Sequence, residues 1–416
     1  MRMPIEKIVI CDDELKRTER WANRLGALEA VASRYEIVIA TPDDIGKAYK
    51  ELEERREALR SDPKIQFEGN LFDSANILVL DQDLLHLESE GKYAVGNELA
   101  YLARVFSGAG FITVLNEFGI RNFDLSLVED AMARADINVG SDHLDNPGLW
   151  TEPFEGFRPW HWPVIPKAAS TFQQRVKEVQ EALDEPVFGF FGFEERELRQ
   201  MSRSVLGVVM ADKGDGTHSS GLETTFKDFV LYSHGAGMNS RDAKAIETRP
   251  DIIARVAAAR SAKWLERQVV VSQDVLVDAP HLVSRMPFLM TGDHSKISDW
   301  NRTTAFEGEL LIDGSIEKYR FERPDWLYRP AFWWNRIEDS EEIQALMEKW
   351  DGMPCPFVFR EDTSSFGTEE NSLEFVAEVP SVFDRRYVSN PDTDEFGDDN
   401  HSPKKVTHTD SHRLAM

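Results

Sequence analysis

Four aspartates in two short stretches carry the chemistry that this sequence suggests. Asp12 and Asp13 follow directly on the apolar run Ile8-Val9-Ile10-Cys11 in "IEKIVICDDELKR". Asp81 and Asp83 follow a second apolar run in "NILVLDQDLL". If those runs are neighbouring strands, Asp12, Asp13 and Asp81 meet within a few ångströms. Two unit charges ~4 Å apart repel by about 4 kcal/mol at an effective dielectric near 20. Such a group needs a raised carboxyl pKa or a divalent cation. Mg2+ suits it, because it takes oxygen ligands and keeps waters that phosphoryl oxygens can replace.

The elements that must position these acids form an α/β layer. "KIVIC", "YEIVIA", "NILVLDQDLL", "FITVLNEFG" and "PVIPKA" read as five strands. Helices alternate with them. Leu15, Ala22, Leu25, Leu28 and Ala32 recur near a 3.6-residue period, as do Phe172, Val176, Val179 and Leu183. "KAYKELEERREALR" is so charged that it reads as a helix facing solvent over most of its circumference, and "VGNELAYLARVF" as a further helix. The alternation predicts a doubly wound parallel five-stranded sheet, with chemistry outside the carboxyl ends of its strands.

Residues 1–185 resemble the receiver domain of bacterial response regulators, a flavodoxin-like fold. The resemblance is carried by the acidic pair in "CDDE", the aspartate in "LVLDQD", the glycine that opens "VGNELAYLAR" and the lysine in "VIPKA". It implies that Asp81 is a phospho-acceptor. Asp12, Asp13 and Asp81 would hold Mg2+, with the main-chain carbonyl of Asp83 completing the protein ligands. Lys167 would contact the phosphoryl group, and Asn116 stands where the family has Ser or Thr. The implied partners are a histidine kinase or another phosphodonor, and a protein that reads the output. Two departures are visible. The Asp13–Asp81 interval is long, and residues 117–163 insert a Trp-rich segment, "NPGLWTEPFEGFRPWHW".

Blander readings stand beside these. "CDDE" also fits a helix N-terminus, where acids favour the dipole. Lys167 also fits a solvated strand-end lysine, and Asn116 a turn residue. Asp81 and Asp83 match the Asp-x-Asp of haloacid-dehalogenase-type phosphatases, but Leu84-Leu85 replace the Gly-Thr expected there, and the acidic pair precedes the motif.

The rest of the chain has another texture. Residues 186–389 read as an α+β output domain. "RPDIIARVAAARSAKWLERQVV" is a helix, "GELLIDGSIEKYRF" a hairpin turning at Asp313-Gly314, and "PCPFVFRED" and "SLEFVAEVPS" late strands. "DWLYRPAFWWNRI" reads as core. "ADKGDGTHSSG" lacks the Gly-Lys-Ser/Thr ending of a phosphate loop. His218, His234, His281 and His294, with Asp212, Asp215, Asp278 and Asp293, leave a C-terminal hydrolase as an alternative. Residues 390–416 are polar and expected to be disordered.

Composition narrows the class. Among 416 residues the formal net charge is −26, which disfavours an extended phosphate-backbone contact. Two cysteines argue against a disulfide framework and favour a reducing setting. With no signal-peptide pattern and no long apolar run, a cytoplasmic protein off the membrane is expected. Homodimerisation stays open. The reading is an atypical response regulator; its rivals are a phosphorylation-independent receiver-like scaffold and the regulated hydrolase.

Overall fold

The computed structural model describes residues 6–89, 92–116, 123–125, 134–212, 223–306, 308–350, 352, 355–375, 386–390, 401–403 and 406–407. Five parallel strands make the N-terminal sheet: β1 (Glu6–Cys11), β2 (Tyr35–Ala40), β3 (Ile77–Asp81), β4 (Phe111–Asn116) and β5 (Ile137–Gly140). Their order is β2-β1-β3-β4-β5. With helices on both faces, this mixed α/β arrangement is consistent with a flavodoxin-like fold.

Alternation along the strands explains why both faces are covered. Val9, Cys11, Leu78, Leu80, Ile112 and Val114 point into one apolar core. Ile8, Ile10, Ile77, Val79, Leu115 and Ile137 point into the other. Helix α1 (Leu15–Gly26) closes the second core with Trp21, Ala22 and Leu25. Helices α2 (Pro42–Ser61) and α3 (Gly96–Phe106) close the first. Helix α4 (Ile165–Glu181) feeds both, Ile165 and Ala168 into one and Phe172 and Val179 into the other.

The remaining chain wraps this layer. Helix α5 (Pro250–Trp264) is buried around nearly its whole circumference and packs on α4 and α3. An apolar, Ala-rich helix without a polar face needs such enclosure. Arg255 on α5 donates to the carbonyls of Arg104 and Val105 (both 3.0 Å), which α3 leaves open at its end. Lys263 donates to the carbonyl of Ala135 at 2.8 Å, just before β5. One apolar cluster takes in Val9, Phe172, Trp264, Trp326 and Phe366, so residues on both sides of position 185 share a core. Beyond that position the chain adds helices and a four-stranded sheet of Val358–Arg360, Ser365–Gly367, Ser372–Phe375 and Arg386–Ser389.

Several elements differ from the sequence expectation. "PVIPKA" is not a strand: Pro166 opens α4, a favoured place for a residue without an N–H, and the fifth strand is "INVG". The expected hairpin at Asp313-Gly314 is a 3-10 helix, Gly314–Tyr319, because the Asp313 carboxylate accepts from Ser315 N at 2.8 Å and caps it. A hairpin does occur at Asp83–Ser89 with Lys92–Val95, between β3 and α3. The charged helix α2 buries Ile45, Ala48, Tyr49, Leu52 and Leu59. The Trp-rich insertion is structural where it is described: Trp150, Phe157 and Trp162 enter the core beneath α1. Most of the tail from 390 lies outside the described residues, but Val406–Thr407 pairs in parallel with Phe123–Asp124. Among the described residues no helix is long and apolar enough to cross a membrane.

One polar knot joins the wrap to the layer. Asp242, fully buried, accepts from Arg56 (3.1 Å) and Arg60 (3.0 Å) on α2 and from the Tyr101 hydroxyl (2.8 Å) on α3. Removing one partner of a buried ionic network leaves the others uncompensated. Asp242→Ala should therefore lower the unfolding free energy by about 3 kcal/mol in urea denaturation. A loss within experimental error would show that the knot does not hold the two parts together.

Candidate functional site

The site lies where the strand order reverses. β1 runs between β2 and β3, so the crevice outside its carboxyl end is the topological switch point of the sheet. Cys11 pairs with Leu80, and the next residue on each strand is Asp12 and Asp81. Carboxylate oxygens of Asp12, Asp13 and Asp81 lie within 4.8 Å of one another. The structure thus brings together three of the expected acids. It is the one such acidic, His or Cys group among the described residues.

The surroundings tune each acid. Asp12 is fully buried. Its Oδ1 accepts from the backbone N–H of Glu14 at 2.7 Å, whereas its buried Oδ2 receives no hydrogen bond. Burial pushes the Asp12 carboxyl up to about 7; the Asp81 and Asp13 carboxyls push the same way, against the Glu14 N–H and Arg17. Burial likewise raises Asp81 to about 6, helped by Asp13 and Asp83 and opposed by Arg17. The orphaned Asp12 oxygen and the all-oxygen donor set fit a hard divalent cation.

Arg17 is the residue that sequence reasoning passed over. Its Nη1 donates to Asp81 Oδ2 at 3.1 Å, its Nε lies 3.4 Å from Asp12 Oδ2, and its Nη2 lies 3.2 Å from Glu14 Oε1. The signal was present in "CDDELKR": a helix that starts straight after the acids turns its first-turn side chains back over the strand end.

The other expected residues separate. Asp83 is the first residue of the hairpin, paired with Val95, and its charge reaches Asp81. Asn116 ends β4 at the same edge of the sheet: Asp81 pairs with Leu115, one residue earlier. Lys167 is not at a strand end. It lies in the first turn of α4 with Nζ 3.4 Å from the carbonyl of Phe306, and the residue paired with Asn116 on β5 is Gly140. The family's lysine position is therefore not supplied by Lys167 from the fifth strand.

Gly96 lies against the site. A Cβ on it would stand 2.1 Å from the carbonyl oxygen of Asp81, so α3 starts hard against the acid's own backbone. Among the C-terminal histidines, His281 is enclosed. Its Nδ1 lies 2.6 Å from Asp278 Oδ1 and its Nε2 3.4 Å from Glu361 Oε1, between the rings of Trp160 and Phe359. His218 and Asp215 lie outside the described residues.

No protein-family model, curated protein or solved structure matches this chain. What defines the site is geometry alone: a five-stranded parallel α/β layer, consistent with a flavodoxin-like fold, with an acidic triad at its switch point.

Two outcomes follow. Gly96→Ala must move the Asp81 backbone or α3, and overpacking of this kind costs about 1–3 kcal/mol, measurable by chemical denaturation; an unchanged protein would mean α3 yields freely. Asp12 has a raised carboxyl pKa, so in the metal-free protein its cost is absent below the unfolded value and complete above about 7. Asp12→Asn, which keeps the oxygen facing Glu14 N, should therefore stabilise the metal-free protein more at about pH 8 than at about pH 5. Equal effects at both would contradict the raised pKa.

Proposed function

We propose that the N-terminal layer is a receiver-like switch that accepts a phosphoryl group on Asp81 with Mg2+ and controls an α+β output part formed by the rest of the chain. The observation that carries this reading is the meeting of Asp12, Asp13 and Asp81 at the β1/β3 switch point. Asp12, Asp13 and Asp81 would hold the cation, with the carbonyl of Asp83 as the remaining protein ligand. When bound, the cation neutralises charge on the transferring group. Asp81, at about 6, is ionised at neutral pH, and its carboxylate attacks the phosphorus of a phosphohistidine or small phosphodonor, displacing the donor's leaving group.

The route to the output follows the packing. Asp81 touches the start of α3 through Gly96, and the far end of α3 is held by Arg255 of α5. A shift of α3 on phosphorylation would pull on α5 and so on the wrap. The net charge of −26 keeps nucleic acid out of the partner list, leaving a kinase or small donor upstream and a protein downstream.

A second reading keeps the fold without the phosphorylation. It is favoured by Arg17, which already supplies a cation to Asp12 and Asp81. Incubation with acetyl phosphate and Mg2+ followed by intact mass separates the two. The switch reading predicts one added phosphoryl group on the wild type and none on Asp81→Asn. An unmodified wild type, where a control receiver reacts, would leave only the binding module.

A further inference from the structure

We infer that Arg17 is a resident counter-ion that closes the acidic site in the metal-free protein and competes with a divalent cation for Asp12 and Asp81. This rests on the reading of those acids as a metal site. One guanidinium engages both carboxylates at once, through Nη1 to Asp81 Oδ2 at 3.1 Å and Nε to Asp12 Oδ2 at 3.4 Å. These two carboxylates are among those a shared cation would need. A divalent ion among the same carboxylates cannot tolerate a guanidinium in contact with them, because like charges at that range repel strongly in a partly buried site. One cation must leave.

Arg17 is built to be the one that leaves. The contact to Asp12 is long, and Asp12 Oδ2 gains no hydrogen bond from it, so the guanidinium satisfies the buried oxygen only partly. About a third of the Arg17 side chain is exposed, whereas Asp12 is enclosed. Its third partner is Glu14, one turn back on the same helix, 3.2 Å from Nη2 and more than half exposed. Arg17 can therefore keep Glu14 and swing outward without stranding its charge. Asp12 and Asp81, fixed on strand ends, have no such freedom.

Binding of metal is then a two-state exchange rather than the filling of a ready cradle. The affinity observed for Mg2+ is lowered by the fraction of molecules in which Arg17 holds the acids. The device sets a threshold: the site stays closed at low divalent-ion concentration without leaving three carboxylates to repel one another.

Calorimetric titration of Mg2+ into the full chain tests this. Arg17→Gln keeps a polar, shorter side chain and removes its charge, and should tighten Mg2+ binding by about tenfold, within the usual range of coupling between two competing ligands. Arg17→Lys keeps a positive charge but loses the fork that spans both carboxylates, and should tighten binding by a smaller factor than Arg17→Gln. Metal-free Arg17→Gln should also melt at a lower temperature than wild type at neutral pH and regain more on adding Mg2+. Equal or weaker Mg2+ binding by Arg17→Gln, with wild type binding normally, would overturn the counter-ion role and leave the metal site standing. An absence of binding in both proteins would remove the metal site and this inference together. Should Arg17→Gln not fold, Arg17→Lys decides, since unchanged or weaker Mg2+ binding by it contradicts the exchange.

Discussion

Asp12, Asp13 and Asp81 are held at the carboxyl ends of two adjacent parallel strands, directly after the buried apolar runs Ile8–Cys11 and Ile77–Leu80. Hydrophobic burial of β1 and β3 fixes the register, and the register leaves the acids no way to move apart. Their repulsion must be met locally, by proton uptake, by a cation from the chain or by a cation from solution. Each has a trace in the structure. The raised carboxyl pKa values mark the first, Arg17 the second, and the buried Asp12 oxygen that accepts no hydrogen bond the third. Exchange among these three forms of compensation is what the proposed switch requires.

The rest of the chain is arranged so that a change there can be felt. Only a glycine allows α3 to begin against the Asp81 carbonyl, and α3 is the helix whose free C-terminal carbonyls are taken by Arg255. Helix α5, which carries Arg255, has no exposed face of any size and is locked between α3, α4 and the aromatic core around Trp264. A packed interior transmits displacement because it has few voids to absorb it. The Trp-rich insertion is tied to the last sheet by backbone bonds, Arg158 N to Asp362 O at 2.9 Å and Trp160 N to Glu361 O at 2.7 Å. The wrap is thus fastened on the α1 side of the layer as well as at α3.

The sheet and its acids were legible in the sequence because parallel strands covered on both faces leave continuous apolar runs, and acids at the end of such a run stand out. Ile8–Cys11 and Ile77–Leu80 are of this kind. The fifth strand was not legible. "INVG" is four residues long with Asn138 in its middle, whereas "PVIPKA" is more apolar yet begins a helix. That misplacement carried Lys167 with it. The buried face of α2 was hidden by eleven charged side chains' worth of visual weight in its sequence, although Ile45, Ala48, Tyr49, Leu52 and Leu59 keep helical spacing. Asp313-Gly314 shows that an Asp-Gly pair caps a 3-10 turn as readily as it makes a hairpin. Arg17 was missed for a different reason. An arginine in a first helical turn is ordinary, and only the strand-to-helix geometry reveals which carboxylates it meets.

Whether the three acids share one divalent cation is decided by locating that cation. Crystals of the full chain grown or soaked with Mn2+ at neutral pH, measured for anomalous scattering, would show it without reference to any activity. A strong anomalous peak coordinated by Asp12, Asp13 and Asp81, with Arg17 turned away toward Glu14, is expected. A well-ordered triad still bridged by Arg17, with manganese only elsewhere or nowhere, would contradict it.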